Sequence, residues 1–216
     1  ARLFFSLVVF LLPLSAWSQQ RFNADSVYQH IRRLSETIGP RPMGSAAERS
    51  ALDWVVQKFR TYGADSAYVM RFTEVFGRSN HINTNSGVAV GLFRGKTDTT
   101  LAVGSHIDSN SPESPGANDN ASGTATVIEL ARLWSARPRH YTLLFLSFGG
   151  EEMGFYGSQY FVDTYKEIRD IGLMISADMT GAPGEIITIM ENKQGQAPRR
   201  LIADAFRLNR SMGISP

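Results

Sequence analysis

The sequence predicts an α/β fold: a mixed, mainly parallel central sheet with helices on both faces. Two observations support it. Between Leu101 and Ile175, apolar runs of strand length alternate with amphipathic helical stretches in the order β-α-β-α-β, and strands joined through helices lie parallel beneath helical layers. The chain has 216 residues, 43% hydrophobic and 19% charged, which suffices for one full core and excludes a disordered or fibrous chain.

The first residues stand apart. Arg2 precedes the apolar run Leu3 to Leu14, and Ser15-Ala16-Trp17-Ser18-Gln19 follows, so residues 1–18 read as a signal peptide cut after Ser18, with small residues at Ala16 and Ser18. The run is shorter than the roughly 20 residues of a membrane span, and Pro13 interrupts it. Residues 19–216 then form one domain, secreted or periplasmic, with no stable membrane association expected once the leader is removed. A formal charge of +2, with basic residues scattered along the chain, gives no reason to expect a nucleic-acid partner.

Within the domain, Val27, Ile31, Leu34 and Ile38 recur at helical spacing until Gly39-Pro40-Arg41-Pro42 stops the helix. Ser45-Ala46-Ala47-Glu48 reads as a capping box opening a second helix, whose stripe is Leu52, Val55, Val56 and Phe59 and whose end is Gly63. Strands are predicted over Ala67 to Val75 and Val88 to Phe93, with the polar stretch Gly77 to Gly87 between them. Three core strands follow, at Leu101 to Val103, Thr142 to Phe148 and Leu173 to Ile175, with helices over Gly123 to Ala136 and Gly157 to Ile168. Ile186 to Met190 adds a strand, and Leu201, Ile202, Ala205 and Leu208 mark a last helix.

The chemistry gathers at the ends of the three core strands. The first leads into His106 and Asp108, the second through Gly149-Gly150 into Glu151 and Glu152, and the third into Asp178. Sites in open α/β sheets form at the carboxyl ends of strands, so these side chains should converge on one rim. Asp119 joins them from the loop Gly116-Ala-Asn-Asp-Asn-Ala-Ser-Gly123. Several carboxylates at one rim repel unless divalent cations neutralise them. With no cysteine in the chain, the ligands are imidazole and carboxylate, a set that suits zinc and also cobalt or manganese. Neither a Gly-x-Ser-x-Gly elbow nor a His-Glu-x-x-His helix occurs. His30, His81 and His140 have no such company and read as structural or surface residues.

Taken together, His106-Ile-Asp108, Gly116-Ala-Asn-Asp119-Asn, Gly150-Glu151-Glu152-Met-Gly and Ala177-Asp178-Met resemble the M28-type zinc exopeptidases, as do Gly39-Pro-Arg-Pro and Gly157-Ser-Gln-Tyr-Phe. The resemblance implies a zinc-dependent exopeptidase fold and an aminopeptidase acting on peptide substrates with two zinc ions. In that scheme Asp119 bridges the ions, His106 and Asp178 complete one site, and Glu152 belongs to the other. Glu151 is the general base, diverging from Glu152 on an extended turn, and Asp108 fixes the His106 tautomer. A non-proline cis peptide is expected after Asp119. The family's further downstream histidine has no counterpart here, since no His follows His140, which implies a domain incomplete at its C-terminus. Two other readings remain open: a single-zinc glutaminyl cyclase-like acyltransferase, and a non-catalytic binding ectodomain of the transferrin-receptor kind.

Overall fold

In this computed structural model, which describes residues 21–73 and 84–181, the predicted alternation is realised. Helix α1 (Ala24–Arg32) is capped by Asn23, continues into a wider turn over Arg33–Ile38, and ends at Gly39. Helix α2 (Ala46–Thr61) starts at Ser45, whose side chain accepts the Glu48 N–H, and buries Leu52, Val55, Val56 and Phe59. Then come β1 (Ser66–Arg71), β2 (Gly87–Phe93), β3 (Thr97–His106), α3 (Gly123–Ser135), β4 (Tyr141–Phe148), α4 (Tyr156–Thr164) and β5 (Ile171–Ser176).

The described strands form one sheet in the order β1-β2-β4-β3-β5. Strands β4, β3 and β5 are parallel neighbours, and β2 and β1 add antiparallel pairings on the β4 side. The sheet is therefore mixed, with its parallel part where the helical crossovers were predicted.

Strand alternation sends side chains to two faces. On one face Ala89, Phe93, Leu143 and Phe145 pack under α1, α2 and α3 with Leu34, Leu52, Phe59, Val127 and Ile128. Phe145 lies between Phe59 and Phe93, with ring centroids 6.2 and 5.5 Å away; burying each such side chain contributes about 1.5–3 kcal/mol. On the other face Val88, Val90, Leu144 and Leu146 meet Tyr160 and Phe161 of α4. Helices thus cover both faces. No helix among the described residues is long and apolar enough to cross a membrane.

Several boundaries differ from the sequence reading. Strand β3 starts at Thr97, before its apolar run, because Thr97 and Thr100 pair with Tyr141 and Thr142 at the start of β4. Strand β1 ends at Arg71, and Phe72 beyond it is buried in the second core. Helix α4 stops at Thr164, where Tyr165 turns extended and stacks on Phe161. The predicted capping box is half made. Ser45 caps the helix, but Glu48 turns into the interior, where it accepts from Gly44 N–H and Ser86 Oγ. The leader, the end of the strand predicted to Val75, His81, the strand Ile186 to Met190 and the helix through Leu208 lie outside the described residues.

Candidate metal centre

The predicted residues meet at the carboxyl ends of β3, β4 and β5. His106 closes β3, held by Thr124 of α3, whose hydroxyl donates to the His106 carbonyl at 2.9 Å. Beyond it, Ile107 N–H still pairs with Phe148 O at 2.8 Å, so Asp108 starts from the sheet and is fully buried.

Asp119 and Asn120 interrupt the helical turn Ala117–Ser122 with non-helical backbone, and the peptide bond between them is cis, as the resemblance implies. Asn120 acts as a clamp that the sequence reading missed. Its Nδ2 donates to Ala177 O at 3.0 Å, and its Oδ1 accepts from Gly123 N–H and Met179 N–H at 2.9 and 3.2 Å. The loops bearing Asp119 and Asp178 are thereby fastened to each other.

After β4, Gly150 adopts φ +67°, a left-handed conformation that glycine takes at no steric cost. The segment that follows is a turn, tighter than the extended turn expected, because Gly154 and Phe155 N–H both return to Glu151 O at 2.8 Å. Asp108 spans this turn. Its Oδ1 accepts Glu151 N–H and its Oδ2 accepts Glu152 N–H, each at 3.1 Å.

Around His106 Nε2 stand Asp119 Oδ1 at 3.0 Å, Asp178 Oδ1 at 3.5 Å and Glu151 Oε2 at 3.9 Å. Candidate ligand atoms of His106, Asp119 and Asp178 lie within 4.8 Å of one another, as do those of His106, Glu151 and Glu152. Two donors on one tetrahedral zinc stand about 3.3 Å apart for bonds near 2.0 Å, so the spacing fits a metal. The polar bookkeeping fits as well. Glu152 Oε2 accepts from Asn110 at 3.0 Å, while Glu152 Oε1 is buried with no partner. His106 Nδ1 is likewise buried without a hydrogen bond; Asp108 Oδ1 faces it at 3.5 Å, so their attraction is one of charge.

The charges shift accordingly. Burial pulls the His106 pKa down, but Asp108, Glu151 and Asp178 outweigh it and raise it to about 9. Glu151 is raised by burial first, opposed by His106, and further by Asp108, Glu152 and Asp178. Behind the rim, the fully buried Arg41 donates to the carbonyls of Ile107, Pro115 and Gly116 at 2.7, 2.6 and 2.8 Å. Burial lowers its pKa to about 10, and Asp108 and Asp119 oppose that shift. Sequence reading used Arg41 as part of a helix stop and of the motif Gly39-Pro-Arg-Pro, but gave it no role, since nothing in its spacing signals a buried cation.

The other histidines behave as predicted where described. His30 packs edge-on against Trp54, and burial, then Lys58, depresses it to about 4. His140 lies edge-on to Tyr141 at the mouth of β4.

Comparisons with known proteins bear on the family and the fold. The sequence profile described as "Peptidase family M28" matches residues 88–213. A probable zinc metalloprotease of Pyricularia oryzae is 32% identical over 155 residues, covering 63% of this chain and 31% of that protein. Aminopeptidase YwaD of Bacillus subtilis is 41% identical over 85 residues, 38% of this chain and 18% of that one. The chain thus spans about a third or less of these relatives. Among solved structures, a leucine aminopeptidase precursor from Bacteroides thetaiotaomicron superposes with TM-score 0.73 at 17% identity, covering 91% of this chain and 75% of that one. Porphyromonas gingivalis glutaminyl cyclase does so with TM-score 0.74 at 23% identity, covering 89% and 72%. At such identities the superpositions establish the fold and leave the reaction open.

Proposed function

The chain belongs to peptidase family M28, and from that premise we propose that it is the catalytic part of a two-zinc aminopeptidase that hydrolyses N-terminal residues from peptides. The observation that supports this most is the meeting of His106, Asp119, Asp178, Glu151 and Glu152 at one rim, with Glu152 Oε1 buried and unpartnered. His106, Asp119 and Asp178 would hold one ion, and Glu152 would serve a second beside it. Zinc bound there supplies Lewis acidity and an acidified water near neutral pH.

The chain's own residues do the rest. Glu151 takes the proton of the attacking water and returns it to the leaving amine, a role suited to a carboxyl whose pKa is raised. Asp108 fixes the direction of Glu151 and Glu152 through their N–H groups and faces His106 Nδ1, leaving Nε2 toward the acids. Leader residues 1–18 direct this activity out of the cytoplasm, to a secreted or periplasmic location.

The likeness to glutaminyl cyclase supports a second reading, an acyl transfer at a single zinc. Metal analysis of the full-length protein separates the two. About two zincs per chain with EDTA-sensitive release of N-terminal residues supports the aminopeptidase; about one zinc with cyclisation of N-terminal glutamine supports the cyclase. Neither metal nor turnover would leave the fold as a binding ectodomain.

A further inference from the structure

Glu48 sits in the first turn of α2, far in sequence from the rim, and its side chain is completely buried. One oxygen accepts from Ser86 Oγ at 2.8 Å and the other from Gly44 N–H at 2.5 Å. Burial pushes its pKa up to about 7 against these hydrogen bonds and a further pull from Gly150 N–H, and Asp108 adds to the rise. A surface cap needs none of this burial, and burying a carboxyl is costly. What the burial secures is contact with the turn after β4. A Cβ placed on Gly149 would lie 2.3 Å from Glu48 Oε1 and 2.5 Å from Ser86 Oγ, so Gly149 is pressed directly against the carboxyl.

The N–H groups of this turn are taken up from two sides. Gly149 N–H goes to Gly87 O at 2.8 Å, on the same short segment as Ser86. Glu151 and Glu152 N–H go to Asp108 on the opposite side. Glu48 stands behind the hinge of the turn, where a displacement of the backbone would swing both carboxylates away from His106.

We propose that Glu48 is a positioning residue for the turn that delivers Glu151 and Glu152 to the centre. The inference rests on the reading of that turn as the source of the general base and of a metal ligand. Glu129 provides the comparison: it is equally buried, but it pairs with Arg132 and with Asn23 N–H on the far side of α3, away from the turn.

The test uses the full-length protein and its variants Glu48→Ala, Glu48→Gln, Ser86→Ala and, as control, Glu129→Gln. Amide hydrogen exchange at Gly150, Glu151 and Glu152 is read in EDTA, and kcat and KM on an aminoacyl substrate are read with zinc. In Glu48→Ala the three amides should exchange about tenfold faster or more, as expected when a buried hydrogen-bonding node is lost. With zinc, kcat should fall about tenfold to a hundredfold while KM changes little, because a misplaced base costs turnover more than binding. Glu48→Gln keeps one acceptor oxygen and should recover part of both losses. Ser86→Ala should move exchange in the same direction by a smaller factor, and it serves if Glu48→Ala does not fold. Glu129→Gln should leave the turn as in the wild type. Exchange in the turn that is unchanged in the Glu48 and Ser86 variants, or changed no more than in Glu129→Gln, overturns the proposal. A wild type without zinc or peptidase activity would count against the proposed function alone, since the exchange measurement needs neither.

Discussion

Two regions hold carboxylates in opposite ways. In the seam between α1 and α3, Glu129 is fully buried and fully partnered: Arg132 donates to it at 2.7 and 2.6 Å, and Asn23 N–H at 2.7 Å. At the rim, Asp108, Asp119, Glu151, Glu152 and Asp178 surround one imidazole. The buried cation behind them, Arg41, spends its donors on backbone carbonyls, and one buried carboxylate oxygen, Glu152 Oε1, is left over. Glu129 is satisfied by a cation and an amide and needs nothing further, whereas a buried carboxylate oxygen without a partner marks a place made for something else. The difference teaches where to look for function before any relative is consulted.

The largest expected effect separates proton transfer from metal binding at the rim. On the proposed mechanism, Glu151→Gln in the full-length protein should lower kcat by about 10²–10⁴ while zinc per chain, measured by atomic emission, stays at the wild-type value. Loss of zinc along with activity would make Glu151 a ligand and not a base.

A smaller effect comes from His106, whose folded pKa of about 9 exceeds its ordinary 6.5. The sign follows from linkage: in the metal-free protein its charge contributes stability fully below pH 6.5, and this is lost as pH rises through about 9. Zinc needs the neutral imidazole, so binding displaces that proton. Zinc affinity should therefore climb about tenfold per pH unit between about pH 7 and 9 from this group, as read by competition with a chelator. An affinity flat across that range would mean that His106 is neutral by pH 7 or is not a ligand, and zinc per chain in His106→Ala, unchanged only in the second case, separates the two.

How legible these regions were in the sequence depends on the range of the interactions that made them. His106, Glu151, Glu152 and Asp178 could be found because strand periodicity places strand ends, and strand ends place the rim; Asp119 came from the loop that leads into the following helix and from the motif around it. The second helix was legible from its stripe and from Ser45. Glu48 was misplaced because capping is judged from neighbours three residues apart, while its burial is set by Ser86 and Gly149, distant in sequence. Arg41 and Asn120 were missed for the same reason: their partners are carbonyls and amides on other loops, which leave no pattern in the local sequence. The turn at Glu151 was expected to be extended so that its two adjacent carboxylates diverge, and its tighter form follows from Gly154 and Phe155 N–H returning to Glu151 O, which the local sequence does not signal.

The smallest predicted effects test the comparison most directly, because they should have opposite signs. Glu129→Gln removes the charge that Arg132 and Asn23 N–H were built around, and half of the replacement amide is a donor facing donors. It should destabilise the metal-free protein by roughly 1–3 kcal/mol, seen as a lower urea midpoint. Glu152→Gln neutralises a carboxylate among like charges, one of whose oxygens is buried without a partner. In EDTA it should leave stability unchanged or raise it by up to about 1 kcal/mol, and it should lose about one zinc per chain. If both substitutions destabilised the metal-free chain equally, the rim acids would be structural like Glu129, and the unpaired oxygen would lose its meaning as a mark of the metal site.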